Sequence, residues 1–208
     1  MPVKSFHNLC EEDYAIMCGI TGIVDLNNYV RKNRKAFLEL TDSLTTNGTS
    51  NVWFSTFVGF GSKYNGKDQR IIQTKANGDM YSIVFGGFLS DMGRVQSLLF
   101  EKGHSFQTPS EAEMVLHAFI EWREKCLEVL NGSFVFAIWD EAHQKLFITR
   151  SPSADEPVFY VHDSQFIIFG TKVDPIVNYL QEESNNIKEL PQGHSLLFSD
   201  GHTKLRKY

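Results

Sequence analysis

Three features of this 208-residue sequence could do chemistry. Cys18 sits against Gly19 in an apolar run, so its thiol could be presented as a nucleophile at an uncrowded strand start. A small buried hydrophobe is the other reading, and the usual one for a cysteine in such a run. Gly86 and Gly87, within FGGF at 85–88, could turn backbone N–H groups toward an anion, or could mark a β-bulge. The seven histidines are scattered without an HxxxH pair, and His104, His117 and His194 read as satisfied boundary residues. Cys10, Cys18 and Cys126 are odd in number and lack CxxC spacing, which argues against both a disulfide framework and a zinc site. Taken singly, none of these features defines an enzyme.

Composition excludes several classes. A hydrophobic share of 42% is ample for a core. Twenty Lys+Arg against 25 Asp+Glu give a net charge of −5, the wrong sign for a general nucleic-acid binder. No apolar run approaches the roughly eighteen residues of a membrane-spanning helix. Glu11, Glu12 and Asp13 break up any secretory or transit signal in the first 17 residues. A reducing, cytoplasmic location is therefore the expectation.

The elements that must position these residues follow from periodicity and turn chemistry. A strand is predicted over 18–25 and a helix over 33–44 with Asn33 as its cap. A polar loop spans 45–51, and strands are predicted over 52–58, 69–75 and 80–89. The helix predicted over 91–102 ends at Gly103. SEAE at 110–113 is a capping box, opening a helical run over 114–123. After Asn131-Gly132, strands are predicted over 133–140, 145–150, 158–163, 165–171, 195–200 and 202–208, with a short helix at 174–180. Many hairpin-linked strands with few helices describe a single α+β domain with antiparallel sheets. The motif order described next implies a domain over 18–208, with 1–17 expected to be an N-terminal extension: a propeptide, the product of an upstream start or a permanent cover.

The order of the motifs is more specific. MCGITGI at 17–23, GHSF at 103–106, SEAEMVLH at 110–117, LNGSFVFAIWD at 130–140 and ELPQGH at 189–194 together resemble class II glutamine amidotransferases. The resemblance covers 17–208 and is strongest to the glutaminase domain of asparagine synthetases. It implies an N-terminal-nucleophile hydrolase, a four-layer αββα sandwich of two stacked antiparallel sheets. It also implies that Cys18 is the nucleophile and that its own α-amine is the base, since a free α-amine titrates near neutral pH. The products would be glutamate and ammonia. While residues 1–17 remain attached, the nitrogen of Cys18 is an amide. Cleavage before it, or initiation at Met17 with methionine removal, would free it.

The glutamine-recognition positions depart from the family. VGFGS at 58–62 puts Ser62 where an arginine normally holds the substrate carboxylate, a contact of about 1.5–3 kcal/mol per charged hydrogen bond. Arg70 is a candidate substitute cation. FGGFLSD at 85–91 puts Gly86 where an asparagine amide supports the oxyanion, a loss of roughly 2.7–4 kcal/mol. The backbone N–H of Gly87 could still donate there. Phe88 replaces a glutamate, and Glu111 replaces the aspartate that meets the substrate's α-amino group. Glutamine hydrolysis is expected to be weak or lost, leaving a standalone or partner-bound module. The alternative is an active Cys18-dependent amidohydrolase: a glutaminase supplying ammonia to a separate synthetase, or an amidase for another substrate. The chain ends where a synthetase domain would begin, and the open face suits a separate synthetase, another protein partner or a homo-oligomer. No cofactor, metal, nucleic acid or membrane is implied.

Overall fold

The computed structural model describes residues 19–27, 30, 32–66, 68–181 and 186–208, so Cys18 and residues 1–17 lie outside the described part. Among the described residues, twelve strands form two six-stranded sheets in which every strand pair is antiparallel. The first sheet has the order β10-β8-β9-β1-β3-β2. Its strands are β1 (Gly19–Asp25), β2 (Thr49–Phe54), β3 (Val58–Tyr64), β8 (Val158–His162), β9 (Phe166–Gly170) and β10 (Lys188–Leu190). The second runs β12-β11-β7-β6-β5-β4. It holds β4 (Ile71–Ala76), β5 (Asp79–Leu89), β6 (Gly132–Asp140), β7 (Lys145–Arg150), β11 (His194–Ser199) and β12 (His202–Lys207).

The sheets pack face to face through alternating apolar residues, among them Ile20 and Val24 of β1, Val58 and Phe60 of β3, Val84 of β5 and Trp139 of β6. Helices α1 (Arg34–Asp42) and α4 (Val173–Leu180) cover the outer face of the first sheet. Between helices and sheet, Ile23, Val30 and Phe37 form one small cluster and Leu40, Ile168 and Ile176 another. Helices α2 (Met92–Glu101) and α3 (Glu111–Trp122) cover the second sheet through a larger layer that includes Phe85, Leu99, Leu116 and Phe136. Helix, sheet, sheet, helix is the expected four-layer sandwich. Among the described residues no helix is long and apolar enough to cross a membrane.

Local differences from the sequence reading have physical causes. The strand expected over 52–58 is a hairpin: β2 starts earlier, at Thr49, and β3 follows a tight turn in which Ser55 N–H donates to Val58 C=O at 2.8 Å. Two glycines and a lysine disguise β3 as a loop. A Cβ on Gly61 would overlap Thr41 Oγ1 and lie 2.9 Å from Thr21 Cγ2, so the glycine lets α1 close onto the sheet. Asn33 stands at the N-cap of α1 without a side-chain cap hydrogen bond. Strand β10 has only three residues, and its pairing with β8 defines it.

The capping box at 110–113 is half realised. Ser110 Oγ accepts from Glu113 N–H at 3.2 Å, as expected. The Glu113 carboxylate turns to the preceding loop instead, accepting from Gln107 N–H at 2.7 Å and from Thr108 N–H and Oγ1 at 2.6 Å each. Burial pushes its carboxyl up, but these donors outweigh that and hold it below the usual glutamate range.

Candidate functional site

The centre of the site is the last stretch of β5. Residues of β5 pair one to one with β6 from Tyr81↔Asp140 to Leu89↔Gly132, so Gly86-Gly87 lies in regular register and is not a bulge. Gly87 has φ +102°, and a Cβ there would overlap the Ser133 carbonyl oxygen. Gly86 is buried and in step with Val84 of the inter-sheet core, whereas Phe88 is 39% exposed. Strand β4 stops short of this stretch: its pairing with β5 ends at Ile71↔Val84.

Two side chains take over the edge that β4 leaves. Arg70 C=O accepts from Phe85 N–H at 2.9 Å, and Arg70 Nη1 donates to Gly87 C=O at 3.0 Å. Glu111, the first residue of α3, accepts from Leu89 N–H through Oε1 at 2.7 Å. Its Oε2 lies 3.2 Å from Arg70 Nη1, an ion pair with both side chains largely buried. The Arg70 guanidinium carbon lies 4.2 Å from the Tyr64 ring centre and 5.6 Å from that of Phe85. Burial pushes the Glu111 carboxyl above the usual range, and the Leu89 N–H and Arg70 recover only part of that.

Ser62 lies on β3, opposite Ile20 of β1 and Asn51 of β2. It is in step with Phe60 and Tyr64, so its side chain points between the sheets. It is fully buried, and its Oγ has no hydrogen-bond partner among the described residues. The nucleophile candidate Cys18 lies outside the described residues, directly before β1, whose Gly19 pairs with Lys63. The structure therefore gathers Gly86, Gly87, Phe88 and Glu111 around one strand end, with Ser62 on the sheet packed against it. Arg70, the candidate cation, already has two carboxylates beside it: Nη1 lies 3.2 Å from Glu111 and Nη2 lies 3.9 Å from the more exposed Asp68. Sequence reasoning gave no hint of the Arg70–Glu111 pair or of the Tyr64 ring beneath it, because these residues are brought together only by the sheet edge.

Elsewhere, Cys126 is a free, fully buried thiol whose pKa burial pushes far up, so it is an inert core residue. No group of His, Cys, Asp and Glu side chains among the described residues is arranged to hold a metal ion.

Two antiparallel sheets stacked between helix pairs make this an N-terminal-nucleophile amidotransferase fold. It resembles the solved glutamine phosphoribosylpyrophosphate amidotransferase of B. subtilis, with a TM-score of 0.63 and 14% identity over 91% of this chain and 49% of that one. Residues 17–185 match the family model described as glutamine amidotransferase domain, and the chain belongs to that family. It is 36% identical over 169 residues to asparagine synthetase [glutamine-hydrolyzing] 3 of Bacillus subtilis, a match covering 77% of this chain and 27% of that protein. Asparagine synthetase B [glutamine-hydrolyzing] of Escherichia coli is 26% identical over 198 residues, covering 92% of this chain and 34% of its own. The chain thus spans about a third or less of these relatives' length, and it resembles their glutaminase half.

Proposed function

We propose that this chain is a cytoplasmic class II glutamine amidotransferase-like module, alone or with a partner, in which ordinary glutamine hydrolysis is weak or lost. The observation that carries this reading is the state of Glu111. At the position where a carboxylate would meet the substrate's ammonium group, one oxygen is taken by Leu89 N–H at 2.7 Å and the other by Arg70 at 3.2 Å. A carboxylate already neutralised by an internal cation has little attraction left for another. Ser62 supports the same conclusion from the other end of glutamine, since a buried hydroxyl supplies no charge for an α-carboxylate. Gly86 offers no side-chain amide to an oxyanion, which leaves Gly87 N–H as the donor for any tetrahedral intermediate.

Phe88 favours a second reading. Its exposed ring places apolar surface beside Gly87, which suits Cys18-dependent hydrolysis of a less polar amide once Cys18 is the amino terminus.

One experiment separates these readings: intact mass of the protein from its native host, paired with ammonia release by a chain that begins at Cys18. The first reading expects little or no ammonia from glutamine. Rapid glutamine turnover would overturn it, and turnover of a neutral amide alone would establish the second.

A further inference from the structure

Arg70 occupies a seat that has every component of a small-cation recognition site. The Tyr64 ring lies 4.2 Å from its guanidinium carbon, Gly87 C=O accepts at 3.0 Å, and the Glu111 carboxylate lies at 3.2 Å. Its backbone is fastened beside the seat by the hydrogen bond from Phe85 N–H at 2.9 Å. We propose that Arg70 is a specificity-determining residue, a tethered occupant of the ammonium position that restricts the strand end at Gly87 and Phe88 to primary amides without a charged amino group. This rests on the reading above that zwitterionic glutamine is poorly accepted.

The physical argument has two parts. A cation covalently held beside its seat has a high effective concentration, which a free ammonium group at ordinary concentrations must displace. An amino acid seated against the largely buried Arg70 and Glu111 side chains would also lose part of the hydration of its charged groups. Glu111 is already paired, Ser62 is neutral, and the other carboxylate beside Arg70, Asp68 at 3.9 Å, is largely exposed, so neither charge would be well compensated. A neutral amide carries no such cost, and Phe88 offers it apolar surface.

The test uses the full chain, wild type and R70M, with butanamide, 4-aminobutanamide and L-glutamine as probes. Binding is read as amide chemical-shift changes at Gly87 and Phe88 in NMR titrations. The wild type is expected to bind butanamide in preference to 4-aminobutanamide. R70M removes the tethered charge while keeping an apolar stem over Tyr64, so 4-aminobutanamide should tighten by about tenfold or more, one charge-assisted hydrogen bond's worth. The gain should disappear in R70M/E111Q. Should R70M fail to fold in a thermal scan, R70Q removes the same charge and keeps a donor for Gly87 C=O.

An unchanged preference in a folded Arg70 variant would overturn the proposal. So would a wild type that already prefers 4-aminobutanamide or binds neither amide. Failure of the underlying reading shows separately, as ammonia release from glutamine by the wild-type chain beginning at Cys18.

Discussion

The Nδ1 atoms of His104 and His117 lie 2.8 Å apart, so one ring donates a proton that the other accepts. His104 Nε2 reaches Glu121 at 3.0 Å, His117 Nε2 faces Glu113 at 3.8 Å, and the Phe106 ring packs across His117. This arrangement tethers the loop after α2 to α3, and it cannot survive protonation of both rings.

Stability is accordingly expected to fall in mild acid. Burial first, then the neighbouring His104, hold the His117 pKa below its ordinary 6.5, with Glu113 opposing them. The unfolded chain then binds a proton that the fold rejects, so this contribution is present above about pH 6.5 and is lost as pH falls through the lower folded value. Urea midpoints between pH 7.5 and 5 should decline in the wild type and decline less in His117→Gln. Parallel slopes in the two proteins would count against it.

Glu113 anchors the same loop from below. Glu113→Ala removes the acceptor for two backbone N–H groups and one hydroxyl, and should cost about 3 kcal/mol in urea denaturation. Glu113→Gln should cost less, because a neutral amide oxygen still accepts. Equal losses would mean that shape rather than charge matters there.

Gly87→Ala should destabilise by about 3 kcal/mol or more, since it combines a positive φ with overlap on the Ser133 carbonyl and a 2.8 Å approach to Phe134 Cα. Gly103→Ala is the control. It has φ +87° with open space around the missing Cβ, so only the backbone term of about 1 kcal/mol applies. If the two alanines cost the same, the close β5–β6 contact is not limiting.

Ser62→Ala should be neutral or stabilising by up to about 1 kcal/mol, because it deletes a buried hydroxyl that has no partner among the described residues. A thermal melt decides it. A loss of several degrees would reveal that the hydroxyl is used.

The long, strongly patterned elements were legible. Strands β5 and β6 and helices α2 and α3 were read within a few residues, and Asp91 and Ser110 cap their helices through the side chain. Strand β3 was not, because Gly59, Gly61 and Lys63 suppress its β signal while packing against α1 and β2 settles it. At the site, Ser62, Gly86, Phe88 and Glu111 are expected as departures only through comparison with a family pattern, and the structure adds where they sit. The sequence did not expose what fills the gap. Arg70 and Glu111 are 41 positions apart, and nothing local says that the end of β4 leaves room for both at the edge of β5.

The unequal thickness of the apolar layers has a kinetic meaning. Among the described residues, the seam holding α1 and α4 rests on two small clusters, whereas the seams on either side of the second sheet are continuous. Opening is easiest where the least apolar surface must be re-wetted, so amides of α1 and α4 should exchange with deuterium well before those of β5 and β6. Strand β1, which begins directly after Cys18, therefore has a soft flank and a hard one. That exchange pattern would mean that α1 and α4 open while the strand that carries Gly87 stays closed.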